Sequence, residues 1–206
     1  MKVLMLNGSP RAEGNTALAL KEMEKIFSQE GIEVETVQVG QLDIRGCLSC
    51  YGCAEAGKCV VDDIVNEVAD KLREADGLVL GSPVYFASPN ATLVALLDRL
   101  FFSASFDMTM KVCASVAVAR RGGCSATFDM LNKYFTISGM AVASSQYWNS
   151  VHGRAPGDAA QDGEGLQTMR TLARNMSFLM KAIALGKAQY GLPEKEAIKQ
   201  VTNFIR

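Results

Sequence analysis

Four cysteines fall between residues 47 and 59, as Cys47-x2-Cys50-x2-Cys53-x5-Cys59. The chain has six in 206 residues, so an even spread would leave fewer than one in such a window. Three thiols at three-residue steps match the spacing of bacterial ferredoxin runs. A fourth just beyond completes the number of thiolates that a [4Fe-4S] cluster takes. Gly46, Gly52 and Gly57 give the loop backbone freedom to wrap around such a group. Structural zinc prefers two separated close pairs, which this compact run does not resemble. Zinc, a thiol pair and unligated cysteines remain open as alternatives. Cys113 lies in an apolar run and reads as a small buried hydrophobe; Cys124 reads as a free thiol with no assigned role.

A second set of residues suits phosphate. Gly8-Ser9-Pro10-Arg11-Ala12-Glu13-Gly14-Asn15-Thr16 lies between a β-rich run and a helical one. A helix N-terminus there offers free N–H groups and a partial positive charge to an anion. Ser9, Asn15 and Thr16 add hydroxyl and amide donors, and Arg11 adds a full charge. Asn15 stands where a Walker A motif has lysine, and the glycines do not follow Gly-x-Gly-x-x-Gly. A phosphate monoester therefore fits better than a triphosphate or a dinucleotide. In the ordinary reading, Ser9 and Asn15 only cap a turn and a helix.

Two later loops add surface for a flat ring. Ser82-Pro83-Val84-Tyr85-Phe86-Ala87-Ser88-Pro89-Asn90 supplies aromatic side chains stiffened by prolines. Arg120-Arg121-Gly122-Gly123 lets backbone approach a ligand closely. Each loop alone reads as an aromatic turn or a solvated basic loop. Together with the phosphate donors they suit a phosphorylated planar ring such as FMN.

The elements that must position these loops alternate between β-rich and helical runs, the pattern of an α/β fold with a parallel sheet. Strands are expected at Lys2 to Asn7, Glu33 to Val39, Gly77 to Gly81, Met110 to Ala119 and near Met140 to Ser144. The third and fourth are nearly continuous apolar runs, as strands covered on both faces should be. A helix is expected from about Asn15 to Gln29. Ile64, Val65, Val68 and Leu72 mark another, capped by Asp62 or Asp63. Leu93, Leu96, Leu97, Leu100 and Phe101, widened by Val94 and Phe102, form a stripe broad enough for either a subunit contact or deep burial. Leu166, Met169, Leu172, Met176, Leu179 and Ile183 mark a long C-terminal helix. Residues 42–61, the cysteine loop, and 144–165, a polar stretch, fit no regular element, and loops this long inside a compact domain are usually functional or disordered.

With 22 acidic and 21 basic side chains, the chain has no basic footprint for nucleic acid. No apolar run approaches the ~20 residues that span a bilayer. The expectation is one soluble, cytoplasmic domain over residues 1–206, large enough to hold a core without staples.

Gly8-Ser9-Pro10-Arg11 with Gly14-Asn15-Thr16, Ser82-Pro83-Val84-Tyr85, and Asp98-Arg99 resemble the NADPH-dependent FMN reductase superfamily. The resemblance covers nearly the whole chain and is weakest beyond about Gln189. It implies a flavodoxin-like fold: a doubly wound five-stranded parallel sheet in three α/β/α layers, with the cysteine loop inserted after the second strand. It implies FMN phosphate contacts at Ser9, Arg11, Asn15 and Thr16, and ring and ribityl contacts at Pro83, Val84, Tyr85 and Phe86. Backbone from Arg120 and Arg121 to Gly122 and Gly123 would face the pyrimidine side. Within that superfamily the cysteine motif is similar to that of the iron–sulfur flavoproteins, which pair a [4Fe-4S] cluster with FMN. Carried over, Cys47, Cys50, Cys53 and Cys59 become the ligands. The segment from Ser144 to Arg154 also resembles theirs, and its length suggests a lid that brings Trp148 to the flavin, in its own subunit or a neighbour's. His152 stays between two roles, capping a neighbour or delivering protons.

The function expected is an oxidoreductase that passes electrons between the cluster and FMN and on to a small acceptor. By resemblance the donor is a ferredoxin-like protein and the acceptors include quinones or oxygen species; the broad apolar stripe adds the expectation of a homo-oligomer, a dimer or tetramer. An NAD(P)H-dependent FMN or quinone reductase without a functional cluster is the first alternative, and a non-enzymatic electron carrier the second. No residue is assigned a catalytic role.

Overall fold

The computed structural model describes residues 1–196, 200 and 202; the last residues of the expected 1–206 domain lie outside the described ones. A parallel sheet forms the middle layer, in the order β2-β1-β3-β4-β5. Its strands are β1 (Lys2–Asn7), β2 (Glu33–Gln38), β3 (Gly77–Pro83), β4 (Val112–Ala119) and β5 (Ala141–Val142). Side chains alternate along β1, so Val3 and Met5 enter one core while Leu4 and Leu6 enter the other. On the first face pack α1 (Asn15–Gln29) and α6 (Gly163–Tyr190), through Leu20, Met23 and Phe27 and through Met169, Leu172, Met176 and Met180. On the second pack α3 (Ile64–Glu74), α4 (Ala91–Ser103) and α5 (Cys124–Ile137). A short helix, α2 (Gly52–Ala56), sits inside the cysteine loop.

The expected five-stranded, flavodoxin-like α/β/α architecture is therefore present. The fifth position in the sheet differs in detail. It is filled by two short pieces, because β5 pairs only with Val112 and Cys113 at the start of β4. A sixth strand, β6 (Ser150–His152), pairs in parallel with Ala117, Val118 and Ala119 at its end. The intervening residues leave the sheet and return, so the apolar run near Met140 is too short to mark the whole strand. The 144–165 stretch accordingly contains β6 and a 3-10 turn, Asp158–Gln161, rather than irregular chain alone. β3 also runs two residues further than its apolar run, since Ser82 and Pro83 still pair with β4.

Helix α4 starts at Asn90, whose side chain accepts hydrogen bonds from the Thr92 and Leu93 amides. Leu93, Leu96, Leu97 and Leu100 are fully buried in the chain's own core, each contributing about 1.5–3 kcal/mol. Of the broad apolar stripe, Phe102 remains exposed. Among the described residues, no helix is long and apolar enough to cross a membrane.

Candidate functional site

The chain moves from β1 outward to β2, then back across β1 to β3. This reversal opens a crevice at the carboxyl ends of β1 and β3, where sheets of this kind bind ligands. The β1–α1 loop lies there. Gly14 is the N-cap of α1 and supplies no side-chain cap, so the amides of the first turn are left to an external acceptor. Ser9 is buried: its amide donates to Asn7 Oδ1 at 3.0 Å, and its Oγ accepts from the Arg11 amide at 3.1 Å. Thr16 is buried in the first helical turn, and Arg11 is exposed beside it.

Asn15 has a second task. Its Nδ2 donates to Ala155 O at 2.9 Å, and its Oδ1 accepts from the Gly157 and Ala159 amides at 3.0 and 3.2 Å. The side chain thus ties the long segment after β6 to the phosphate loop, while its backbone N–H stays in the uncapped turn. The loop after β2 is braced to the same place. Gln38 Nε2 donates to Ser9 O, and Gln41 Nε2 donates to Pro10 O.

The two ring loops meet at Gly123. Its φ is +93°, and a Cβ there would lie 2.8 Å from Val84 Cγ1 and 2.9 Å from Ala87 Cα. Tyr85 and Ser88 exchange both backbone hydrogen bonds at 2.9 Å, closing a turn with Phe86 and Ala87 at φ +50° and +59°. Positive φ at both central positions is the geometry of a type I′ turn, normally given to Asn and Gly. Phe86 is consequently thrust fully into solvent at its tip, with Tyr85 half-exposed. Pro83 closes β3, and the Val84 amide donates to Val118 O at 2.9 Å. Arg120 is exposed. Arg121, Gly122, Gly123, Tyr147, Trp148 and His152 line a groove of about 250 Å³ at the end of β4. Trp148 packs against Tyr147, ring centres 5.2 Å apart. A larger cavity, about 580 Å³ between Asp76, Lys111 and Met180, lies at the opposite edge of the sheet, away from these loops.

Inside the groove the Cys124 Sγ stands 4.0 Å from His152 Nε2, and His152 Nδ1 stands 3.5 Å from Asp162 Oδ2. Asp162 also accepts from the His152 amide at 2.6 Å and from Gly165 N at 2.9 Å, where it caps α6. Burial, helped by the Asp162 charge, pushes the Cys124 thiol up to about 11, so it is a neutral thiol at ordinary pH. Cys113 is sealed in β4, where burial pushes its thiol far up, as expected of an inert core residue.

The cysteine loop leaves the same carboxyl edge, after β2. Cys47, Cys50, Cys53 and Cys59 carry free thiols and line one small cavity of about 20 Å³. As the side chains stand, no three metal-ligating groups among the described residues converge to metal-binding distance. Behind the cavity lies Arg99, 1% exposed. Its guanidinium pairs with both oxygens of Asp63 at 2.5 and 2.9 Å, and donates from Nε and Nη2 to Cys59 Sγ at 3.3 Å each. Four soft sulfur donors around one cavity with a buried cation behind suit an iron–sulfur cluster in kind. Arg99, Asp63 and Asp162 carry none of the assignments made from sequence beyond a motif match and a cap. The available signal was the charged pair Asp98-Arg99 inside the apolar stripe from Leu93 to Phe101.

A crevice with an uncapped helix end, a glycine loop and an aromatic turn, at the carboxyl edge of the parallel sheet, marks an α/β domain of the flavodoxin-like class. Comparison with known proteins narrows this. The profile of the NADPH-dependent FMN reductase family matches residues 1–155. An iron–sulfur flavoprotein of Methanocaldococcus jannaschii is 38% identical over 191 residues, covering 89% of this chain and 99% of the relative. Another, from Methanosarcina thermophila, is 29% identical over 187 residues, covering 89% and 97%. Among solved structures, RosB with bound 8-demethyl-8-formylriboflavin-5′-phosphate has a TM-score of 0.71 at 19% identity, covering 100% of this chain and 93% of that one. The NAD(P)H:quinone oxidoreductase of Methanothermobacter marburgensis has a TM-score of 0.65 at 18% identity, covering 85% and 96%. The chain belongs to the NADPH-dependent FMN reductase family, and within it to the iron–sulfur flavoproteins; it is an FMN redox protein and an oxidoreductase.

Proposed function

We propose that the chain carries FMN at the carboxyl edge of its sheet and a [4Fe-4S] cluster in the 42–61 loop, and passes electrons between them to a small acceptor. The observation that carries this reading is the shared edge: the phosphate loop, the two ring loops and the cysteine loop all leave the sheet on one side. When bound, a cluster exchanges electrons singly and a flavin exchanges them singly or in pairs, which lets such a protein join one-electron and two-electron partners. The protein's part is to hold and insulate the two groups. The first-turn amides of α1, with Ser9, Arg11 and Thr16, hold the phosphate. Tyr85, Phe86 and Trp148 cover the ring against water, and the Gly122 and Gly123 amides face its pyrimidine side. His152, oriented by Asp162, is the proton donor to whatever is reduced in the groove. A ferredoxin-like protein is the donor, and the working form is a homo-oligomer.

A second reading keeps the flavin and omits a functional cluster, with NAD(P)H as donor. The match to the NADPH-dependent FMN reductase family favours it. Iron and sulfide counted in anaerobically purified wild type and Cys50→Ala separate the two, since the second reading expects neither in either protein. Under the leading reading the substitution abolishes bound iron and sulfide and leaves FMN bound with unchanged affinity. Loss of FMN along with iron would mean that the cysteine loop belongs to the flavin site instead.

A further inference from the structure

The four cysteines are not held alike. Among the described residues, Cys47, Cys50 and Cys53 make no hydrogen bond beyond the cysteine loop, and the one bond to their sulfurs comes from the neighbouring Ser49 amide to Cys47 Sγ at 3.5 Å. Ser49 and Tyr51, between them, sit at φ +49° and +57°, a left-handed backbone that non-glycine residues rarely adopt. Cys59 is anchored on two sides. Its amide donates to Asn66 Oδ1 at 3.0 Å and its carbonyl accepts from Asn66 Nδ2 at 2.9 Å, fixing the backbone to α3. Its sulfur accepts twice from Arg99 on α4.

Arg99 reaches further than Cys59. Besides Asp63, its Nη1 donates to Arg45 O at 3.3 Å and its Nη2 to Val61 O at 3.2 Å. Arg45 precedes the first cysteine; Val61 and Asp63 follow the last. One buried guanidinium therefore clips together both feet of the cysteine loop and its last thiol. A planar fork with five N–H donors can do this, whereas an ammonium cannot. The cation is locked in turn, because α4 is fixed by four fully buried leucines.

We infer that Arg99 is the positioning residue of the cysteine site: it presets Cys59 as the fixed ligand around which Cys47, Cys50 and Cys53 gather, and it sets the reduction potential of the assembled cluster. The inference rests on the cluster assigned above. The second effect follows from charge. A group held by four thiolates is anionic and becomes more so on reduction. A permanent cation hydrogen-bonded to one of its sulfurs favours the reduced form, and hydrogen bonds to sulfur are among the features that set such potentials.

The test compares Arg99→Lys, which keeps the charge without the fork, with Arg99→Met/Asp63→Asn. The double variant removes the pair without stranding a buried charge and keeps an α3 cap, so folding is expected to survive. Three quantities are read on the full chain: iron and sulfide per FMN after anaerobic reconstitution, the cluster midpoint potential, and the rate at which each cysteine is alkylated in the metal-free protein. In the wild type, Cys59 is expected to alkylate at least tenfold more slowly than Cys47 or Cys50; in both variants that protection disappears. Iron per FMN falls several-fold in both, and the iron retained in the double variant has a lower potential, with Arg99→Lys between it and wild type. Equal alkylation of Cys59 in wild type and variants overturns the positioning role, even if no iron is found. An unchanged potential with full iron overturns the tuning role. Protection of Cys59 in a wild type that takes up no iron would overturn the cluster assignment and leave the clip standing.

Discussion

Replacing Gly123 with alanine isolates the contact on which the flavin edge depends. The residue has φ +93°, a conformation that costs an L-residue about 1–2 kcal/mol. The added Cβ would also meet Val84 Cγ1 at 2.8 Å and the Ala87 backbone at 2.9 Å, and overpacking of this kind costs about 1–3 kcal/mol. The sum, about 3 kcal/mol, should lower the midpoint of thermal unfolding by roughly 6–12 °C in a chain of this length. Because the two ring loops touch at this point, relieving the clash must part them. FMN affinity should then fall at least tenfold, equivalent to about 1.4 kcal/mol. Gly122 is the internal control: a Cβ there meets nothing within 4 Å, so Gly122→Ala should stay within about 0.5 kcal/mol of wild type. The assays are thermal unfolding by circular dichroism and titration of the apoprotein with FMN, followed by quenching of flavin fluorescence. If both variants bind FMN as the wild type does, the two loops do not form one flavin edge and the reasoning fails.

Three further outcomes follow from the same geometry. Replacing His152 with glutamine should slow acceptor-dependent reoxidation of the reduced flavin about 100-fold while leaving FMN affinity unchanged, as expected for loss of a general acid; stopped-flow rates check it. The Phe86-Ala87 turn holds two non-glycine residues at positive φ, so Ala87→Gly should stabilise the chain by about 1 kcal/mol in urea unfolding. Burial opposes ionisation of Asp63, but Arg99 and the Val65 amide outweigh it and hold the carboxyl below the usual carboxylate range. A depressed folded-state pKa contributes stability that is full above the unfolded carboxylate value, about 4, and is lost as pH falls below it. Asp63→Asn should thus cost about 3 kcal/mol near pH 7, by stranding the Arg99 charge, and should flatten the acid limb of the stability curve.

The sheet and its order of elements were legible because apolar runs of strand length alternate with helical stripes, as in Leu78 to Leu80 and in Leu93 to Leu100. The split fifth strand was not, since β5 and β6 together offer only five residues and their pairing depends on the length of β4. The site loops were legible by residue type, because glycine, proline and aromatic residues mark the turns. Their mutual contacts were not. Nothing local in Asn15 announces that its side chain clamps residues 155–159, which are 140 or more positions away. Arg99 shows the same limit: its motif match pointed to the superfamily, but its partners at 45, 59, 61 and 63 come together only once α4 packs beneath the cysteine loop.

The most direct test is to purify the protein without oxygen, count flavin, iron and sulfide, and follow the visible spectrum while adding first NADPH and then a reduced ferredoxin. The account predicts one FMN and roughly four irons per chain, with the flavin band bleached by the ferredoxin and not by NADPH alone. Bleaching by NADPH in a protein that contains no iron would contradict it.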